Sequence, residues 1–163
     1  MNYTDYYIAA LNAEGYYRTA KLIKDKAKNP LDIDSFLKFS NPYIIILSLA
    51  CEFYLKAMLI YRSIKYSKYG SDGHNLWELF RRLDDVDKAR VLNAYDSDPC
   101  IEDFLKDNEK IFVDHRFPYE KTGEQQEHLL LYAPFESFCN ALAVACVEIQ
   151  QDYLKAEAES NAD

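Results

Sequence analysis

Residues 43–61, YIIILSLACEFYLKAMLIY, form the longest apolar stretch of the chain. The run approaches the roughly 20 residues that cross a bilayer. Glu52 and Lys56 stand at its centre, however, and a charge at mid-membrane costs about 3 kcal/mol. The stretch is therefore predicted to be the central helix of a bundle, with Asn41-Pro42 supplying its cap and first-turn proline. Apart from tyrosine, its strongly polar side chains are Ser48, Glu52 and Lys56. Steps of four align them in one narrow stripe, and Glu52 preceding Lys56 is the favoured order for an ion pair within a helix.

Working outward, residues 3–28 carry Ala9, Ala13, Tyr16, Ala20, Ile23 and Ala27 at alternating steps of four and three, one face of a helix that stops at Asn29-Pro30. A second segment begins after Asp32 or Asp34. Beyond the central helix, the polar residues 63–73 lead into a short helix over 75–83 with Leu76, Leu79, Phe80 and Leu83 on one side. Asp84, Asp85 and Asp87 cap the next helix, which carries Val86, Val91, Leu92 and Tyr95. Asp98-Pro99 opens a fifth with Ile101, Phe104, Leu105, Ile111 and Phe112, ending near Pro118. Residues 120–127 read as a loop around Gly123, and 128–132 as extended chain. Pro134 starts the last helix, marked by Phe135, Phe138, Leu142, Ala145, Ile149 and Tyr153. The fold class is all-α: an up-and-down bundle of four to five helices with a short helical insert. One domain spans residues 1–156, and 157–163 form an acidic disordered tail.

Composition agrees with this reading. Of 163 residues, 49% are apolar and 28% charged, which excludes a disordered or fibrous chain. Four glycines and five prolines are too few to punctuate a many-stranded sandwich or barrel. The N-terminus lacks the basic and unbroken apolar regions of a secretory signal, so the expectation is a cytoplasmic protein without a membrane partner. Cys51, Cys100, Cys139 and Cys146 include no Cys-x-x-Cys pair and read as free buried thiols. With three histidines and no paired thiols, neither a metal nor another cofactor is expected. Fourteen tyrosines are the least ordinary number, because many hydroxyls must find partners.

Two constellations could carry chemistry. The Ser48, Glu52, Lys56 stripe reads either as a solvated helix side or as the polar floor of a cleft between helices. Counting Ile101, Phe104, Asn108, Ile111 and His115 in helical steps puts His115 on an inward stripe beside Arg116. An imidazole next to a permanent cation is the minimum equipment for cleaving RNA, although a lone histidine on an apolar face is more often a satisfied core residue.

These residues carry a resemblance. The run from Leu49 to Leu59 with its Glu52-x-x-x-Lys56, then Gly73-His74-Asn75-Leu76 opening a short helix, then Phe112 to Glu120 reading FVDHRFPYE, resembles the HEPN superfamily of small helical-bundle proteins. The likeness spans Ser48 to Glu120. It implies a helical bundle, homodimerisation through the long helices, and work on RNA or nucleotides. Family members serve as ribonuclease toxins or abortive-infection effectors, in toxin–antitoxin and phage-defence systems, often beside a nucleotidyltransferase-like partner. Nuclease members carry Arg, four to six residues, then His. None of the six arginines here is followed by His at that spacing. Lys110 precedes His115 with four residues between, but Lys68 with His74 and Lys121 with His128 match equally well, and lysine lacks arginine's bidentate grip on phosphate.

Three readings stay open. The first is a non-catalytic RNA- or nucleotide-binding module using Glu52, Lys56, Arg116, Tyr119 and Glu120. The second is a divergent metal-independent ribonuclease toxin in which His115 exchanges protons and Lys110 or Arg116 neutralises phosphate. The third is an acidic, antitoxin-like interaction protein with a toxin or nucleotidyltransferase-like partner. The formal charge of −8 opposes a general phosphate clamp but is unevenly spread. Residues 1–83 hold 12 basic and 8 acidic side chains, residues 84–163 hold 7 and 19. Arg18, Lys21, Lys24 and Lys28, with Arg62, Lys65 and Lys68, leave room for a local phosphate-attracting side.

Overall fold

Alternating steps of three and four build α1 (Tyr3–Lys26), which buries Tyr6, Ala13, Tyr17 and Ala20 on one side. The structure, a computed structural model, describes residues 3–26, 33–67, 73–109, 111 and 132–161, and every regular element among them is a helix. After α1 come α2 (Ile33–Tyr61), α3 (Leu76–Arg81), α4 (Asp85–Ala94), α5 (Ile101–Asp107) and α6 (Tyr132–Ser160). The three long helices make the body of an all-α bundle. Phe39–Tyr61 of α2 is long and apolar enough to cross a membrane, and about two-thirds of it is buried inside the bundle, as in a core helix.

The rings fix the helix directions. Tyr6 meets Tyr61 and Tyr16 meets Phe53, each with centroids 5.3 Å apart, so α1 and α2 are antiparallel. Tyr3 stacks on Tyr153 at 3.7 Å while Lys24 pairs with Glu136, so α1 and α6 are antiparallel too. Consequently α2 and α6 run the same way, and α3, α4 and α5 belong to the crossover between them. Phe80 and Phe104 join α3 and α5 to Phe138 and Phe135 of α6, at 6.1 and 5.8 Å.

Several expectations are corrected. The central helix does not open at Asn41-Pro42: α2 starts at Ile33 and runs through Pro42. An interior proline costs about 3 kcal/mol, and burial of Tyr43, Ile44 and Leu47 just after it offsets that loss. The fifth helix is shorter than its apolar pattern suggested. It ends at Asp107, where Asn108 turns its side-chain amide back onto the Phe104 carbonyl. Pro134 lies just inside α6 rather than at its start, because Tyr132 is already helical. At the other end α6 continues to Ser160, past the Ala156 limit set for the domain, with its side chains exposed from Leu154 onward. Cys51, Cys139 and Cys146 are free and buried, but Cys100 is exposed. It stands at the N-cap of α5, with its Sγ 3.1 Å from Asp103.

Two buried tyrosine hydroxyls find partners inside the fold. Tyr6 donates to the Cys146 carbonyl at 2.5 Å, and Tyr54 donates to the Glu14 carboxylate at 2.7 Å. Burial holds the Tyr6, Tyr17, Tyr43 and Tyr54 phenols well above their ordinary pKa.

The C-terminus of α2 closes in a Schellman turn. Ile64 N–H reaches the Leu59 carbonyl at 2.8 Å, Ser63 N–H reaches Ile60 at 3.0 Å, and Ser63 takes the left-handed conformation, φ 57°. Arg62, at this turn, grips Asp87 through two nitrogens at 2.8 Å each and lies 2.9 Å from Asp84. Asp84 in turn caps α4 by accepting the Asp87 N–H. Gly15 is the one glycine inside a long helix among the described residues. A Cβ there would meet nothing within 4 Å, so this chain's packing gains nothing for the roughly 1 kcal/mol that glycine costs relative to alanine.

Candidate functional site

Glu52 faces inward from the middle of α2, and its side chain is only 5% exposed. One carboxylate oxygen accepts from Lys56 Nζ at 2.6 Å, a turn further along α2. The other lies 2.9 Å from His74 Nδ1. A carboxylate only accepts, so Nδ1 carries the proton of that contact. His74 is held there because the next residue, Asn75, caps α3: its side chain accepts the Glu78 N–H at 2.9 Å and donates to Glu109 at 3.1 Å. Lys56 Nζ also sits 5.7 Å from the centre of the Tyr66 ring, a cation–π contact. Burial first, then the charges of Asp5 and Glu52, push the Tyr66 phenol upward.

The exposure is graded. Lys56 is 13% exposed and His74 37%, so the pair opens outward from a buried carboxylate. Taking Glu52 and Lys56 out of water costs several kcal/mol, which their attraction repays only in part, so the pair is a poor stability device. It fixes an ammonium, an imidazole and an aromatic ring in one place. That set can hold a phosphate or another anion through Lys56, with His74 a second donor when its imidazole is protonated and the Tyr66 ring alongside.

Sequence reasoning located Glu52 and Lys56 and missed the partner role of His74. The available signal was Gly73-His74-Asn75-Leu76, a histidine directly before a capping asparagine. Ser48 leaves the proposed floor: it is buried, and its hydroxyl bonds back to the Ile45 carbonyl at 2.8 Å. Lys110, His115, Arg116, Tyr119 and Glu120 lie outside the described residues, so the second constellation has no geometry here.

The basic residues of the N-terminal half are largely engaged within the chain. Arg18 pairs with Glu14 at 2.6 Å, Lys24 with Glu136, and Arg62 with Asp84 and Asp87. Lys21 lies over the Tyr17 ring at 4.0 Å. No three His, Cys, Asp or Glu side chains among the described residues converge as a metal centre. Compared with family models, with curated proteins and with solved structures, the chain matches none of them.

Proposed function

We propose that the chain is a HEPN-like helical module that binds RNA or a nucleotide without cutting it, at the site organised by Glu52. The observation that carries this reading is the buried Glu52 carboxylate holding Lys56 and the more exposed His74 together. Lys56 contacts phosphate, His74 joins it when its imidazole is protonated, Glu52 sets their positions, and the Tyr66 ring offers a face to a base. The resemblance adds Arg116, Tyr119 and Glu120 to the same site and a prokaryotic toxin–antitoxin or phage-defence setting. The nuclease reading has less support, since the arginine its motif needs is absent.

The test is a fluorescence-anisotropy titration of the full chain with a labelled oligoribonucleotide pool, and in parallel with a nucleoside triphosphate, across salt concentration. Binding should weaken as salt rises, and Lys56→Ala should weaken it about tenfold. Absence of binding at low salt, or equal binding by Lys56→Ala, overturns the proposal.

A further inference from the structure

A single proton decides the charge of the Glu52 site. With the His74 imidazole neutral, the charges in direct contact are the Glu52 carboxylate and the Lys56 ammonium, 2.6 Å apart, and they cancel. A neutral histidine that gives its Nδ1 proton to Glu52 keeps Nε2 as an acceptor, and an acceptor repels a phosphate oxygen. Protonation turns Nε2 into a donor and leaves the three groups with a net positive charge.

The surroundings make that proton matter more. Asp5 of α1 lies close enough to Tyr66 for its charge to act on the phenol. Glu109, just past α5, bonds to Asn75, the residue after His74. Glu78 of α3 is taken up by Arg81. Among the described residues, then, Lys56 is opposed by acidic neighbours on α1, on α2 and past α5, and the imidazole is the group that can tip the balance. It is also the open end of the site, 37% exposed against 13% for Lys56, so protons from solvent reach it.

We infer that His74 is a proton gate on this site: an anionic ligand is held while the imidazole is protonated and released as the proton leaves. The inference rests on the reading of the Glu52 site as a phosphate-binding site and adds its regulation. A cation formed by protonation serves at low pH and is lost as pH rises, so affinity should fall across the range in which histidines change charge, about pH 5 to 8. Linkage makes the converse hold, and binding draws a proton into the protein.

The test is fluorescence anisotropy of the full chain with labelled oligouridylate, a probe whose bases keep their charge over this range, at about pH 6 and about pH 8 and one salt concentration. The wild type should bind about tenfold more tightly at the lower pH, the effect expected of one charge-assisted hydrogen bond. His74→Gln keeps a donor for Glu52 but cannot take up a charge, so it should bind weakly and equally at both. Calorimetry of the wild type near neutral pH, in two buffers of different ionisation heat, should show a fraction of a proton taken up on binding, a readout that does not require the variant to fold. No binding at either pH overturns the reading of the site and the gate with it. Equal binding by the wild type at both pH values, a pH dependence that His74→Gln retains, or binding without proton uptake leaves the site standing and overturns the gate.

Discussion

Asp87 and Glu52 are both buried carboxylates, one paired with a base in the turn that closes α2 and the other with a base inside that helix, and they are held in different ways. Asp87 meets Arg62 through two parallel bonds of 2.8 Å, and Arg62 is shared with Asp84, the residue that caps α4. Its cation is permanent, its geometry is a fork, and its neighbours are backbone caps. Glu52 divides its two oxygens between a lysine, which is a point charge, and a histidine whose side chain reaches the surface. The first arrangement is a latch joining the end of α2 to the start of α4. The second divides a buried anchor between a lysine that stays mostly buried and a histidine at the surface. Arg62, at 29% exposure, is itself more open than Lys56, so the way to the surface at the Glu52 site runs through His74.

The largest expected effect separates the two directly. Asp87→Ala leaves the Arg62 guanidinium without its main counter-charge and should cost about 3 kcal/mol in urea unfolding, while the folded fraction should keep the RNA binding proposed for the Glu52 site. A loss below about 1 kcal/mol would mean that the latch is not one. Arg62→Lys keeps the charge but loses the fork, with an expected cost of about 1.5 kcal/mol by the same measurement. Ser63→Gly should raise stability by up to about 1 kcal/mol, since a serine at positive φ carries a strain that glycine does not, and it should leave the Glu52 site untouched.

The smallest effect concerns a third carboxylate, Glu14, on the outer face. Burial alone would raise its pKa, but hydrogen bonds from Arg18 and Tyr54, with the charges of Arg18 and Lys21, bring it below the ordinary 4.5. A group whose folded pKa is depressed contributes stability above its unfolded value and loses it as pH falls through the folded one. The stability difference between wild type and Glu14→Gln should therefore shrink as pH drops below about 4.5 and stay constant above it. A difference that grows on acidification would contradict the assignment.

Much of the architecture was legible in the sequence, because helix periodicity is set locally by which residues must be buried. The α1 face, the Asp84 cap and the place of α6 followed from spacing and capping chemistry alone, whereas Asn75, read as part of the short helix, is its cap. The passage through Pro42 was not legible, since it depends on tertiary burial that outweighs the loss of one backbone donor. The parallel run of α2 and α6 was equally hidden, being settled by contacts of both helices with α1, among them a ring stack and an ion pair between residues more than a hundred positions apart. At the site, four-residue spacing revealed Glu52 and Lys56 but could not show that Ser48 turns to its own backbone, or that His74 arrives from the crossover. Pairing across elements is a property of packing, and periodicity within one helix does not encode it.

Under the proposed function the shared carboxylate, and not the latch, faces the ligand. The most direct measurement is the imidazole NMR spectrum of His74 together with the Arg62 Nε–H resonance as an oligoribonucleotide is added. The account predicts that the His74 resonances move to saturation, that Lys56→Ala suppresses the movement, and that Arg62 stays in place. Binding that leaves His74 unmoved, or that shifts Arg62 as much as His74, would contradict it.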